Sequence, residues 1–233
     1  MPNKMRNMVC GAAVTMLLAA FCGCGYTRIK AYERPPQFRQ FVEMKAGEPA
    51  PDFVLNDISG GEWRLSKQKD KLVVLQFCSA TSPPFVQGLD DFRREVLSPC
   101  LANPQVLFVY VFGEEAHPEL LDTPSRLRLE RDAYQHRLEE AQRYYYRLKF
   151  HEGSNYDVAG LIPAATNVVL LVDTVSNPVG PRYGYGRGGT TNPAFLIDRD
   201  GVLVAKGLFA AEFVSSTGYR AGNLAQMIGA RMK

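Results

Sequence analysis

A surplus of one charge is missing from this sequence: 27 Lys and Arg stand against 24 Asp and Glu in 233 residues. A nucleic-acid surface needs a clustered basic excess, so that class is excluded. Histidine is scarce, and His117, His136 and His151 have no Cys or acidic companions at ligand intervals, so no metal site is read. Cysteine is sparse too. Of five, Cys10, Cys22 and Cys24 lie near the N-terminus, which leaves Cys78 and Cys100 for the folded body. Two thiols set neither a disulfide framework nor a zinc spacing. No apolar run is long enough for a permanent membrane helix, since the one from Met8 to Phe21 falls short of a bilayer's width. With 46% hydrophobic and 22% charged residues, a disordered tail and a multispan membrane protein are also excluded.

What is present begins with Lys4 and Arg6, the apolar run, and Gly23-Cys24-Gly25. This pattern reads as a lipoprotein-type signal over residues 1–23, with Cys24 as the acylated first residue of the mature chain. Ordinary secretion and an uncleaved anchor are the alternatives, and each places the body outside the cytoplasm, in an oxidising compartment. Residues 24–46, with Pro35-Pro36, read as a tether. Residues 47–233 read as one α/β domain.

Inside that domain, two short segments around Ser59-Gly60-Gly61 predict a β-hairpin. Leu72–Phe77 and Val106–Phe112 are continuous apolar runs of the kind that fill strands buried on both faces. Phe85, Leu89, Phe92 and Val96 are spaced for a helix, with Pro84 suited to its first turn. Leu127, Tyr134, Leu138, Ala141, Tyr145 and Leu148 predict a single long helix from Pro124 to Phe150. Further strands are expected at Val168–Val172, Ala194–Ile197 and Val202–Lys206, and a closing helix from Tyr219 to Met232.

The loop after the first core strand reads Phe77-Cys78-Ser79-Ala80-Thr81-Ser82-Pro83-Pro84-Phe85. The loop after the second reads Glu114-Glu115-Ala116-His117-Pro118, and a third block reads Val172-Asp173-Thr174-Val175-Ser176-Asn177. With the Pro-Asp-Phe-x-Leu opening at Pro51–Leu55, this order resembles the thioredoxin fold. The three blocks together resemble the iodothyronine deiodinase family over most of the domain. The resemblance implies a thioredoxin-like fold with an N-terminal β-hairpin and a long inserted helix. It implies a reactive position at Ser82 assisted by Ser79, Thr81, Glu115 and His117, with the Ser79 and Thr81 hydroxyls aimed at the reactive atom. Substrate contact falls to His117, Pro193 and Phe195, and a cis peptide bond is expected before Pro193, beside the reactive loop. The implied partners are a small aromatic or halogenated substrate, a thiol reductant and a membrane reached through the N-terminal lipid. No cofactor and no nucleic acid are expected, and the oligomeric state is left open.

Three departures accompany the likeness. Where the family carries selenocysteine this chain has Ser82, and a hydroxyl neither ionises near neutral pH nor cycles through a thiol's oxidation states. The family's Pro-Glu-Arg is read at Pro193-Ala194-Phe195, without its Arg, and the second histidine of the long helix is read as replaced near Arg131.

The expected function is therefore a deiodinase-like oxidoreductase with its reductive step weakened or lost. One alternative is a non-catalytic, membrane-anchored binding module. Another is a thiol oxidoreductase or peroxidase-like protein using Cys78, with Cys100 as exchange partner, against which stands a buried structural thiol. A hydrolytic Ser82 needs His117 as base, oriented by Glu115 or Asp173. Gly184-Tyr185-Gly186-Arg187-Gly188-Gly189 fits a dinucleotide string, but it neither follows a strand directly nor opens a helix, so it reads as a loop. Tyr144-Tyr145-Tyr146 reads as one inward ring and ordinary surface.

Overall fold

The computed structural model describes residues 44–146, 162, 165–174, 179–185, 192–209, 212–215, 218–219 and 221–232. Residues 1–43, which include the segment read as an export signal, Cys24 and most of the segment read as a tether, lie outside the described residues, as do His151, the 186–191 stretch of the glycine-rich loop and the side chains of Tyr144, Tyr145 and Tyr146. Among the described residues no helix is long and apolar enough to cross a membrane.

The expected hairpin forms between β1 (Val54–Asp57) and β2 (Glu62–Arg64), with Val54 opposite Arg64. Its turn closes because Asp57 Oδ1 accepts from the N–H groups of Ser59 (2.8 Å) and Gly61 (2.9 Å), while Gly60 takes the left-handed φ of +91° that a side chain would resist. The next strands are β3 (Leu72–Cys78), β4 (Val106–Phe112) and β5 (Val168–Val172), which run parallel in the order β5-β4-β3. On the far side of β3 come β6 (Ala194–Ile197) and β7 (Leu203–Phe209), both in antiparallel pairing, and then β8 (Glu212–Ser215) and β9 (Gly218–Tyr219). The last two were not foreseen, being too short to carry an alternating pattern.

The unbroken apolar runs are explained by burial on both faces. Leu72, Val74 and Cys78 of β3 join Val106, Phe108, Tyr110 and Phe112 of β4 on one face. Val73, Leu75 and Phe77 join Leu107, Val109 and Val111 on the other. The first face is covered by helices: α1 (Pro83–Phe92), whose Phe85, Leu89 and Phe92 are buried, α4 (Ala133–Tyr146) through Ala141, and α6 (Ala221–Arg231) through Leu224 and Ile228. The second is covered by the approach to β1 (Met44, Phe53), by Leu65, and by Val179, Tyr183 and Tyr185 in and after the short α5 (Val179–Arg182). After α1 the helical path continues through a π turn (Arg93–Leu97) into α2 (Ser98–Cys100).

The single long helix is corrected. α3 (Thr123–Arg131) ends at Asp132, whose φ of −149° and ψ of 90° leave the helical region, and α4 starts immediately after. Asp132 serves both ends: its N–H donates to Arg128 O at 2.8 Å, and its Oδ1 accepts from Gln135 N–H at 3.0 Å. A residue that caps the next helix outweighs a continuous apolar spacing, and Leu127 on α3 is left exposed.

The cis bond before Pro193 is also corrected, since the structure contains no cis peptide there. The trans chain still enters β6 in register: Phe77 N–H donates to Pro193 O at 3.0 Å, and Asn192 Nδ2 donates to Phe77 O at 3.2 Å. The strand order, not that isomer, holds the thioredoxin-like arrangement.

Candidate functional site

The carboxyl ends of β3, β4 and β5 deliver three loops to one edge of the sheet, the edge at which parallel α/β folds place their chemistry. From β3 comes Ser79-Ala80-Thr81-Ser82, and Ser82 is the N-cap of α1 with extended backbone. Its side chain makes no capping bond and is only 1% exposed. Pro83 and Pro84 remove two of the N–H groups that a helix start offers an anion, and Val86 N–H is already bound to Ser82 O at 3.1 Å. Position 82 thus has a helix dipole behind it but few free donors.

The Ser79 and Thr81 hydroxyls are not aimed at position 82, which corrects the sequence reading. Both donate to Glu115 Oε2, at 2.8 and 2.7 Å, and Thr81 N–H joins them at 3.0 Å. In return Ser79 Oγ accepts from Ala116 N–H and Thr81 Oγ1 from His117 N–H, both at 2.9 Å. The β3 and β4 loops are clasped by these reciprocal bonds. On the far side of the carboxylate, His136 Nε2 of α4 lies 3.4 Å from Glu115 Oε1, and both side chains are almost completely buried. Burial works to raise the Glu115 pKa, yet the neighbouring His136 ring, with Thr81 and Ser79, holds it below the ordinary value.

His136 is the functional candidate that the sequence did not yield. The expected replacement of the helix histidine near Arg131 is corrected: Arg131 ends α3 in solvent, and His136, one turn into α4, reaches the network. The Asp132 break sets its direction, and no periodicity argument on an unbroken helix supplies it.

His117 divides between two environments. Its backbone is tied to Thr81, while its ring is 48% exposed and pairs through Nδ1 with Glu119 Oε1 at 3.0 Å. No hydrogen bond joins Ser82 to His117, and Asp173 lies with Arg137 instead, so a Ser-His-carboxylate triad is not assembled. Phe195 is buried against Tyr183, ring centroids 5.1 Å apart, and takes a core position rather than an open substrate-contact one. Pro193 lies beside Phe77, one residue from the start of the loop.

Cys78 is completely buried and donates from Sγ to Gln76 O at 3.6 Å. Burial pushes its thiol well above the usual range, and the charge of Glu115 adds to that. Cys100, partly buried and likewise raised by burial, closes α2 near the amino ends of β4 and β5, where its carbonyl accepts from Asn167 Nδ2 at 2.8 Å. The two free thiols therefore occupy opposite edges of the sheet, separated by about 20 Å for a seven-residue strand. Exchange between them within this fold is ruled out.

At the end of β5, Asp173 is nearly buried. Its pKa is raised to about 7 because burial outweighs the Arg137 charge and the N–H groups of Gly180 and Thr174. Arg137 Nη1 donates to Asp173 O at 2.8 Å. Tyr185 stacks on Phe77 (5.1 Å between centroids, 26° between planes) and donates its hydroxyl to Cys78 O at 3.3 Å and to Glu114 O. Gly113 and Gly180 make room for that ring: a Cβ on either would lie 2.6 or 2.9 Å from a Tyr185 carbon.

Among the described residues no group of three or more His, Cys, Asp or Glu side chains is placed to hold a metal ion. A cavity of about 180 Å³ bounded by Ala50, Leu65, Val73 and Ile197 lies by the opposite end of β3, away from these loops.

Compared with known proteins, residues 46–206 match the model of the AhpC/TSA family. No curated protein sequence matches the chain. Among solved structures it is similar to a thiol peroxidase from Chromobacterium violaceum (16% identity over 83% of this chain and 92% of that one, TM-score 0.46). It is also similar to the thioredoxin domain of a thiol-disulfide oxidoreductase from Bacteroides vulgatus (16%, 81% and 98%, TM-score 0.42) and to the exposed lipoprotein thioredoxin of Streptococcus pneumoniae (19%, 77% and 99%, TM-score 0.41). At these identities the likeness concerns fold alone.

Proposed function

The chain belongs to the AhpC/TSA family, with a thioredoxin-like fold, and from that premise we propose that it is a binding module on a thiol-redox scaffold whose resting form holds no reactive thiolate. One observation carries this reading: the reactive position at the start of α1 is a covered hydroxyl, Ser82, and the thiol nearest to it in the chain, Cys78, is buried and held neutral. The ligand class we assign is a small aromatic or halogenated phenol, supported by the three deiodinase-like sequence blocks, and we assign the membrane anchor to acylated Cys24.

A second reading is a thiol oxidoreductase working through Cys78. Family membership favours it over removal of iodine, because AhpC/TSA membership speaks for thiol chemistry and none of the comparisons speaks for a deiodinase. It requires the strand end to open, since a thiol without access or ionisation does not attack.

The test is iodide release from an iodophenol and reduction of a disulfide substrate, each with a dithiol donor, on the wild type and three variants. The wild type is expected to be inert in both assays, and Ser82→Cys is expected to gain activity. Turnover by the wild type that is lost in Cys78→Ser supports the second reading. Turnover that survives Cys78→Ser but not Ser82→Ala makes the serine catalytic and overturns both.

A further inference from the structure

We propose that the cavity at the amino end of β3 is a binding site for one aromatic ring that carries a hydrogen-bond donor and no negative charge. Its floor is a patch of sheet, because Val73 of β3 and Ile197 of β6 are direct cross-strand partners. Buried Leu65 and half-buried Ala50 complete an apolar lining. The volume, about 180 Å³, is close to that of an engineered apolar cavity of about 150 Å³ that admits benzene. One six-membered ring therefore fits. The site lies at the edge of the sheet opposite Ser82 and uses none of the reactive loops, so it stands or falls apart from the proposed function.

The walls are fixed before any ligand arrives. Ala50 N–H donates to Gly201 O at 2.9 Å, Ser66 N–H to Asp52 Oδ1 at 2.9 Å, Gln68 N–H to Leu65 O at 2.9 Å and Asp70 N–H to Arg199 O at 3.0 Å. Asp70 is also the one non-glycine residue among those described with a positive φ, 70°, a conformation kept where the surroundings demand it. A larger side chain at position 50 would close the space, and the sequence has alanine there, between Pro49 and Pro51. Such walls leave little ordering to be done on binding. The rim selects the head group, since it carries the carboxylates of Asp52, Asp198 and Asp200 and a single ammonium, Lys69. Asp52 is paired with Arg64 at 3.0 Å and Asp198 with Arg231 at 3.4 Å, so no excess charge draws a cation in. The rim is still rich in acceptor oxygens, which take a hydrogen bond from a donor and repel an anion.

Phenol is the probe, with benzene and benzoate as controls, each titrated into the full chain and followed by methyl resonances. Phenol is expected to shift Leu65, Val73 and Ile197 together and to saturate in the millimolar range, as suits so small a ligand. Benzene, which lacks the donor, is expected to bind several-fold more weakly, and benzoate about tenfold more weakly. Ala50→Leu is expected to abolish the shifts at Val73 and Ile197 without lowering the thermal midpoint. Shifts confined to Ala80 and Thr81 place the ring at the reactive edge and overturn this site. Benzoate bound as tightly as phenol, or unchanged phenol binding in Ala50→Leu, overturns it as well. Should Ala50→Leu not fold, the wild type decides: saturable shifts at Val73 and Ile197 uphold the site, and their absence overturns it.

Discussion

Two buried carboxyl groups stand at the ends of adjacent strands, Glu115 past β4 and Asp173 past β5, and they respond to burial in opposite ways. Glu115 meets two hydroxyls, a backbone N–H and His136, and its pKa falls below the ordinary value. Asp173 meets two backbone N–H groups and one guanidinium whose Nη1 is spent on its own carbonyl, and its pKa climbs to about 7. Both side chains are almost completely buried, and the donors that converge on the carboxylate decide the sign. The β4 end is built around a permanent charge. The β5 end is poised to lose or gain one.

The widest separation between the two is expected on removing the carboxylate. Glu115→Ala orphans three buried donors and leaves His136 facing a void, and is expected to cost about 3–5 kcal/mol in urea denaturation, at about 1–3 kcal/mol for each unsatisfied group. Asp173→Asn keeps the shape and removes a buried charge, so above about pH 8 its stability is expected to match or exceed the wild type. If Asp173→Asn destabilises as much as Glu115→Ala, the contrast fails.

A titration of wild-type stability sharpens the same point. The Glu115 contribution is present above its unfolded value of about 4.5 and is lost as pH falls through the depressed folded value. The Asp173 contribution has the reverse sign, being complete below 3.8 and lost as pH rises through about 7. Stability is therefore expected to peak on the mildly acid side, between these two limbs, with Asp173→Asn flattening only the upper one.

The smallest effects separate the clasp from the solvent-facing ring beside it. Ser79→Ala removes a donor to Glu115 and an acceptor for Ala116, and is expected to cost about 1–2 kcal/mol. His117→Ala removes an exposed ring paired with one exposed carboxylate and is expected to stay within about 0.5 kcal/mol. Denaturation curves of the two variants check that order.

Much of the fold was legible because burial writes a periodic signature. Leu72–Phe77 and Val106–Phe112 could be read as doubly buried strands, and Phe85, Leu89, Phe92 and Val96 as one helix face, without any partner being known. Ser79, Thr81 and Glu115 were legible as a group only through their motif blocks, and their mutual bonds were not. The helix break was illegible for a local reason: Asp132 sits in an apolar pattern that continues across it, and its two backbone partners appear only once the chain has turned.

The sequence by itself determined the strand and helix segments of the core, the two loops that carry hydroxyls and acids, and the presence of serine where a redox atom is needed. These are local or compositional properties, set by side-chain period and element identity. Tertiary structure alone decided which oxygen the Ser79 and Thr81 hydroxyls serve, that His136 and not Arg131 stands beside Glu115, that Cys78 and Cys100 lie at opposite edges, and that Asp173 is nearly dry. Each of those depends on the desolvation and donor count at one point in space, to which residues far apart in the chain contribute, so no window along the sequence contains the answer.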